Sequence, residues 1–163
     1  MRNIVLAVAA LGAVVSTPAL AATASNTMPV SVNVINSCTI AATPMAFGAP
    51  TAIGGANIDT TSTVTLACTT GASYDVAMDF GLNAASGQRF MSNGAATPVK
   101  IPYNVFKDTW GGAAWGNTTG NTVTGNVGLT GAAVLTAYGR IPSTASPVGA
   151  GTYSDTVTVT VTF

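Results

Sequence analysis

The segment that decides the fold is the last one, "SDTVTVTVTF" (Ser154–Phe163), a strict alternation of valine and threonine. A period of two is the mark of a half-buried β-strand. Val157, Val159, Val161 and Phe163 fall on one face, and Thr156, Thr158, Thr160 and Thr162 on the other. A β-branched strand with almost no charge is also a template for edge-to-edge pairing. What it pairs with is the first question the chain poses.

Upstream the same pattern recurs. Met28, Val30, Val32 and Val34 alternate with Pro29, Ser31 and Asn33. Further strand-like runs are predicted over Cys38–Phe47, Ser62–Cys68, Ser73–Phe80, Lys100–Asp108 and Ala132–Ile141, punctuated by Gly, Asn, Pro and Ser. "CTTGAS" (Cys68–Ser73) reads as a turn, and "GLNAASGQ" (Gly81–Gln88) and "WGNTTGNTVTGNVG" (Trp115–Gly128) as loops or a hairpin. Many short strands without intervening helices predict an all-β, antiparallel sandwich rather than a barrel. On periodicity alone, the runs at Met28 and Val157 serve equally well as the first and last strands of one self-contained sandwich.

The N-terminus is a separate matter. Arg2 is followed by an apolar run, Ile4–Val15, and by Ala19-Leu20-Ala21, with small residues at both cleavage positions. Residues 1–21 read as a secretory signal peptide cleaved after Ala21. About 140 residues remain, enough for one domain with a real core. No later segment is apolar enough to span a bilayer. An exported chain meets oxidising conditions, so Cys38 and Cys68 are expected to form a disulfide rather than remain free thiols. Closing a loop of that size stabilises a fold by roughly 3–4 kcal/mol.

Charge and chemistry exclude much. Without Arg2, four basic residues face five aspartates, and the chain has no histidine and no glutamate. No basic patch exists for nucleic acid, and the commonest general base and metal ligand is missing. Asp75 and Asp79 would lie about 13 Å apart along a strand, beyond the ~5–10 Å of paired glycosidase carboxylates. Asp59, Asp108 and Asp155 are isolated, and the cysteines form no CxxC pair. The expectation is no enzyme and no cofactor. Trp110 and Trp115 in "TWGGAAWGN" offer a sugar-stacking platform or a cover for a core edge, and Asn117-Thr118-Thr119 matches a glycosylation sequon. So uncharged a surface points to an assembled working state.

Several stretches, in order, resemble the spore coat protein U domain family: "NSCTI" (Asn36–Ile40), "MAFG" (Met45–Gly48), "YNVFKD" (Tyr103–Asp108), "WGNTTG" (Trp115–Gly120), "YGRIP" (Tyr138–Pro142) and "GTYSDTVTVTVTF" (Gly151–Phe163). The resemblance is to pilin subunits of archaic chaperone–usher fimbriae, and it implies an incomplete immunoglobulin-like sandwich completed by a strand from another chain. It implies three partners: a periplasmic pilus chaperone, an outer-membrane usher, and identical or related pilin subunits. It implies passage through the periplasm to a surface fimbria that serves attachment and biofilm formation. On this resemblance residues 22–36 are the donor segment, with Met28, Val30, Val32 and Val34 entering a neighbour, and residues 37–163 are the pilin domain. Val157, Val159, Val161 and Phe163 would line this domain's own acceptor groove, with Gly151 and Tyr153 near its start. Pro29 would sit near the donor's outer end or at a non-bonding position, since it lacks an N–H. The alternatives are a self-contained secreted adhesin or glycan-binding sandwich using the tryptophans, and a spore- or cyst-coat structural protein.

Overall fold

Alternation becomes architecture in eight strands, seen in a computed structural model that describes residues 21–163. The signal-peptide expectation falls almost wholly outside the described residues. The chain divides into two units, Met1–Asn33 and Val34–Phe163. In the first, residues 21–33 are irregular and exposed. The alternating run from Met28 therefore forms no strand here, because a strand needs a neighbour for its main-chain groups.

The second unit holds β1 (Cys38–Ala42), β2 (Ile58–Cys68), β3 (Ser73–Met78), β4 (Arg89–Ser92), β5 (Lys100–Phe106), β6 (Val123–Asn126), β7 (Ala132–Ile141) and β8 (Val159–Thr162). One turn of 3-10 helix, Gly128–Thr130, precedes β7. The strands form two antiparallel sheets, ordered β1-β2-β7-β5-β4 and β6-β3-β8. Their inner faces close on a core of Val64 and Leu66 from β2, Val76 and Met78 from β3, Ile101, Tyr103 and Val105 from β5, and Ala137 and Ile141 from β7. Each set alternates along its strand, as a half-buried sheet requires.

Trp115 belongs to this core. It is fully buried and its indole N–H donates to the Val76 carbonyl at 2.8 Å. Trp110 lies on the surface, edge-on to Tyr138 at 5.2 Å, with its N–H on the Thr60 carbonyl. The paired-tryptophan platform is thus absent, because one member fills the sandwich. Arg89 is also interior, only 4% exposed. Its guanidinium donates to the carbonyls of Met78, Asp79 and Trp115 and lies over the Phe80 ring. Burial pushes its pKa below the ordinary arginine value.

Cys38 and Cys68 are disulfide-bonded. They face each other across β1 and β2, so the bond clamps an edge strand to its one neighbour. No helix of the described residues is long and apolar enough to cross a membrane.

Candidate functional site: a groove between two open strand edges

Each sheet ends on a strand with one free side. Among the described residues, β1 pairs with β2 alone and β8 with β3 alone. Which residues expose main-chain groups on the free sides follows from the hydrogen bonds already made. Asp79 N–H donates to the Thr158 carbonyl and Leu82 N–H to that of Thr156. In a strand, successive residues direct their main-chain groups to opposite sides. Thr156 and Thr158 are engaged towards β3, so Val157, Val159 and Val161 present theirs to the open side. In the same way Ser37 and Thr43 bond towards β2 through Thr69 and Thr63, leaving those of Cys38, Ile40 and Ala42 open.

Between the end of β1 at Ala42 and the start of β8 at Val159 lies a cleft of about 450 Å³. Its apolar floor includes Met45, Phe47, Val64, Met78, Met91, Tyr103, Val105 and Ala137, and Val157 and Val159 form one wall. Close packing at Gly139 shapes the opposite rim. A side chain there would run into Met45 Sδ and meet the tip of the Phe47 ring at 3.1 Å. Phe47 in turn packs edge-on against Tyr103 at 6.1 Å between ring centres.

One end of the cleft is polar. Tyr103 donates its hydroxyl to Asp155 Oδ2 at 2.8 Å, and Asp155 Oδ1 accepts from the Asn83 backbone and side-chain amides at 3.0 Å each. Burial, then the Asp155 carboxylate, pushes the Tyr103 pKa far up, so the phenol remains a hydrogen-bond donor. Asp79 is drawn the other way. Burial raises its pKa, but bonds from the Thr158 and Gly81 N–H groups, both 2.9 Å, outweigh that and hold it below the usual carboxylate value.

The two edges run in opposite senses. Cys38, at the start of β1, lies opposite Cys68, and Thr162, at the end of β8, lies opposite Asp75. Cys68 and Ser73 are joined by the turn Thr69–Ala72. The start of β1 and the end of β8 therefore share one pole, the turn pole, and Leu82, Asn83 and Asp155 lie at the other. A strand entering the cleft would be parallel to one edge and antiparallel to the other. The site offers apolar surface bordered by open-side main-chain groups of Ala42, Val157 and Val159.

Of the residues singled out in the sequence, Val157 and Val159 line the cleft, along with Tyr153. Val161 packs on the core, and Phe163 lies past the end of β8, half exposed. Met28, Val30, Val32 and Val34 are all exposed. Sequence reasoning assigns no groove role to the floor residues Met45, Phe47, Met91 and Tyr103. For the first two, alternation with exposed neighbours in "PMAFG" is the available signal.

Comparison with known proteins gives a consistent picture. The family model described as the Spore Coat Protein U domain matches residues 24–160. Protein U of Myxococcus xanthus is 32% identical over 182 aligned positions, spanning 100% of both chains. Among solved structures, the chain is similar to one from the complex between CsuC and CsuE, a chaperone–tip adhesion subunit pre-assembly complex of the archaic chaperone–usher Csu pili of Acinetobacter baumannii. The TM-score is 0.55 at 19% identity, over 80% of this chain and 40% of that one. The chain thus spans less than half of that structure's length. At this identity the likeness is one of fold, an all-β immunoglobulin-like sandwich.

Proposed function

Because the chain belongs to the spore coat protein U domain family, we propose that it is the structural subunit of a secreted chaperone–usher fimbria, polymerising by donor-strand exchange. The observation that carries this reading is the cleft itself. It is flanked by two edge strands, and Ala42 on one and Val157 and Val159 on the other present open-side main-chain groups beside it. Strand addition draws affinity from such groups and register from alternating side chains.

The occupant is the segment Met28–Val34 of another copy. Its four apolar side chains are exposed, and each would gain ~1.5–3 kcal/mol by burial. Insertion antiparallel to β8 and parallel to β1 is the polarity that lets one copy follow another without returning to an occupied pole. The inserted valines then bond to Val157–Val161, and the residues between them face Cys38, Ile40 and Ala42. Pro29 falls at the start of the inserted run, beside the beginning of β1, where a missing N–H costs least.

This polarity also gives a repeating assembly. The segment's C-terminal end leaves at the pole distal to the turn. The copy that owns it begins its sandwich at its own turn pole, where Ser37 N–H and the Ile35 carbonyl bond to the Thr69 hydroxyl. Turn pole therefore stacks on distal pole, and the step repeats as an open, heterologous filament. A periplasmic chaperone would occupy the cleft first, and an outer-membrane usher would exchange it for the next subunit. The working location is the cell surface, in attachment and biofilm formation. A coat protein, as the family description allows, would use the same groove and differ in location.

Deleting residues 22–34 should leave a one-to-one complex with the chaperone in the periplasm and abolish fibres. Fibres formed by the truncated chain would refute the assignment.

A further inference from the structure

Two leucines at opposite poles stand out from the sandwich: Leu129 is 94% exposed and Leu82 is 80% exposed. Single exposed apolar residues are ordinary, but the positions of these two are related. Leu129 sits in the 3-10 turn Gly128–Thr130 at the turn pole. That turn is bonded to the segment from which the leader departs: Cys68 N–H donates to the Gly131 carbonyl and Gly71 N–H to that of Gly128. Thr69, between them, holds Ile35 and Ser37. Leu82 sits at the distal pole, beside the mouth of the cleft. Its N–H donates to Thr156, a cleft-lining residue, and its neighbour Asn83 binds Asp155.

We infer that Leu129 of one copy packs against Leu82 of the copy that receives its leader, forming a second contact between successive subunits beside the inserted strand. This rests on the donor-strand reading above. A leader running antiparallel to β8 leaves the cleft next to Leu82 and enters its own sandwich next to Leu129. Only Ile35, Asn36 and Ser37 separate Val34 from β1, so the two poles are held close. Each leucine flanks one end of that short connection. Lys100 has its ammonium bonded to the carbonyl of Asn83, next to Leu82, so it need not be stripped of a partner when an apolar contact forms. The contact is heterologous, as a head-to-tail fibre requires. It would fix the angle between subunits, which a three-residue connection by itself leaves free.

The test uses the full chain with Leu129→Lys, Leu82→Lys, and the double variant Leu129→Lys with Leu82→Glu. Two readouts are taken: the guanidinium concentration and free-subunit concentration at which fibres dissolve, and binding of a synthetic peptide of residues 22–36. Each single variant should raise the free-subunit concentration roughly tenfold, from the lost burial of a leucine. The double variant, which places opposite charges across the contact, should recover most of that loss. Peptide binding should be unchanged throughout. Fibres of both single variants matching the wild type, or a double variant no better than Leu129→Lys alone, would overturn the contact while leaving the donor reading intact. Failure of the chain with its own leader disabled by Val30→Asp and Val32→Asp to bind the peptide would remove the donor reading, and this contact with it.

Discussion

Thr158 and Asp79 hold each other twice: the Thr158 carbonyl accepts the Asp79 N–H at 3.0 Å, and the Thr158 N–H donates to Asp79 Oδ1 at 2.9 Å. The second bond extends the pairing of β8 with β3 beyond the end of the regular ladder at Met78 and Val159. It keeps Val157 aligned along the cleft wall. One carboxylate thus fixes the edge on which the proposed assembly depends.

That carboxylate makes the edge acid-sensitive. The folded-state pKa of Asp79 is depressed, so its contribution is present above the unfolded carboxylate value and is lost as pH falls through the folded one. Amide hydrogen exchange at Thr158 should accelerate, relative to β2 amides, on acidification below about pH 4. Asp79→Ala should show fast exchange at neutral pH with no further acid dependence at this site.

Arg89 is the buried charge that closes the distal end of β3. Arg89→Ala would strip the carbonyls of Met78, Asp79 and Trp115 of their charged partner. A loss of ~3 kcal/mol or more is expected in urea unfolding. Arg89→Lys should recover only part of it, because an ammonium lacks the planar fork that reaches all three carbonyls.

The two tryptophans should behave oppositely. Trp115→Phe keeps most of the packing but leaves the Val76 carbonyl without its indole partner, at a cost of ~1–3 kcal/mol. Trp110→Ala, on the surface, should change stability by less than about 1 kcal/mol. Fluorescence would separate them: the emission remaining in Trp110→Ala should be blue-shifted and poorly quenched by acrylamide.

Gly139 should be intolerant of a side chain. Gly139→Val would drive into Met45 and Phe47, costing ~1–3 kcal/mol as overpacking. It should also weaken binding of the leader peptide more than Gly149→Val, which has open space around it.

Alternation makes the major strands legible from residues alone: β2, β3, β5 and β7 lie within or overlap the runs read for them, because each has one buried and one exposed face. Four-residue strands are not legible in this way. "RFMS" (β4) opens on an arginine that proves to be interior, and "VTGN" (β6) is hidden in turn-forming composition. Nothing local tells Trp115 from Trp110; only the fold of the loop places one of them inside. Val157 and Val159 are legible as one face of a strand. The rest of the cleft is not, since Met45, Met91 and Tyr103 are gathered from segments far apart in the chain.

The central claim is that the cleft between β1 and β8 takes the leader of another copy. The most direct measurement is binding of a labelled peptide of residues 22–36 to a full-length chain whose own leader is disabled by Val30→Asp and Val32→Asp. A one-to-one, slowly dissociating complex with a raised melting temperature is expected, abolished when the same two substitutions are placed in the peptide. A chain that neither binds the wild-type peptide nor gains stability from it would contradict the account.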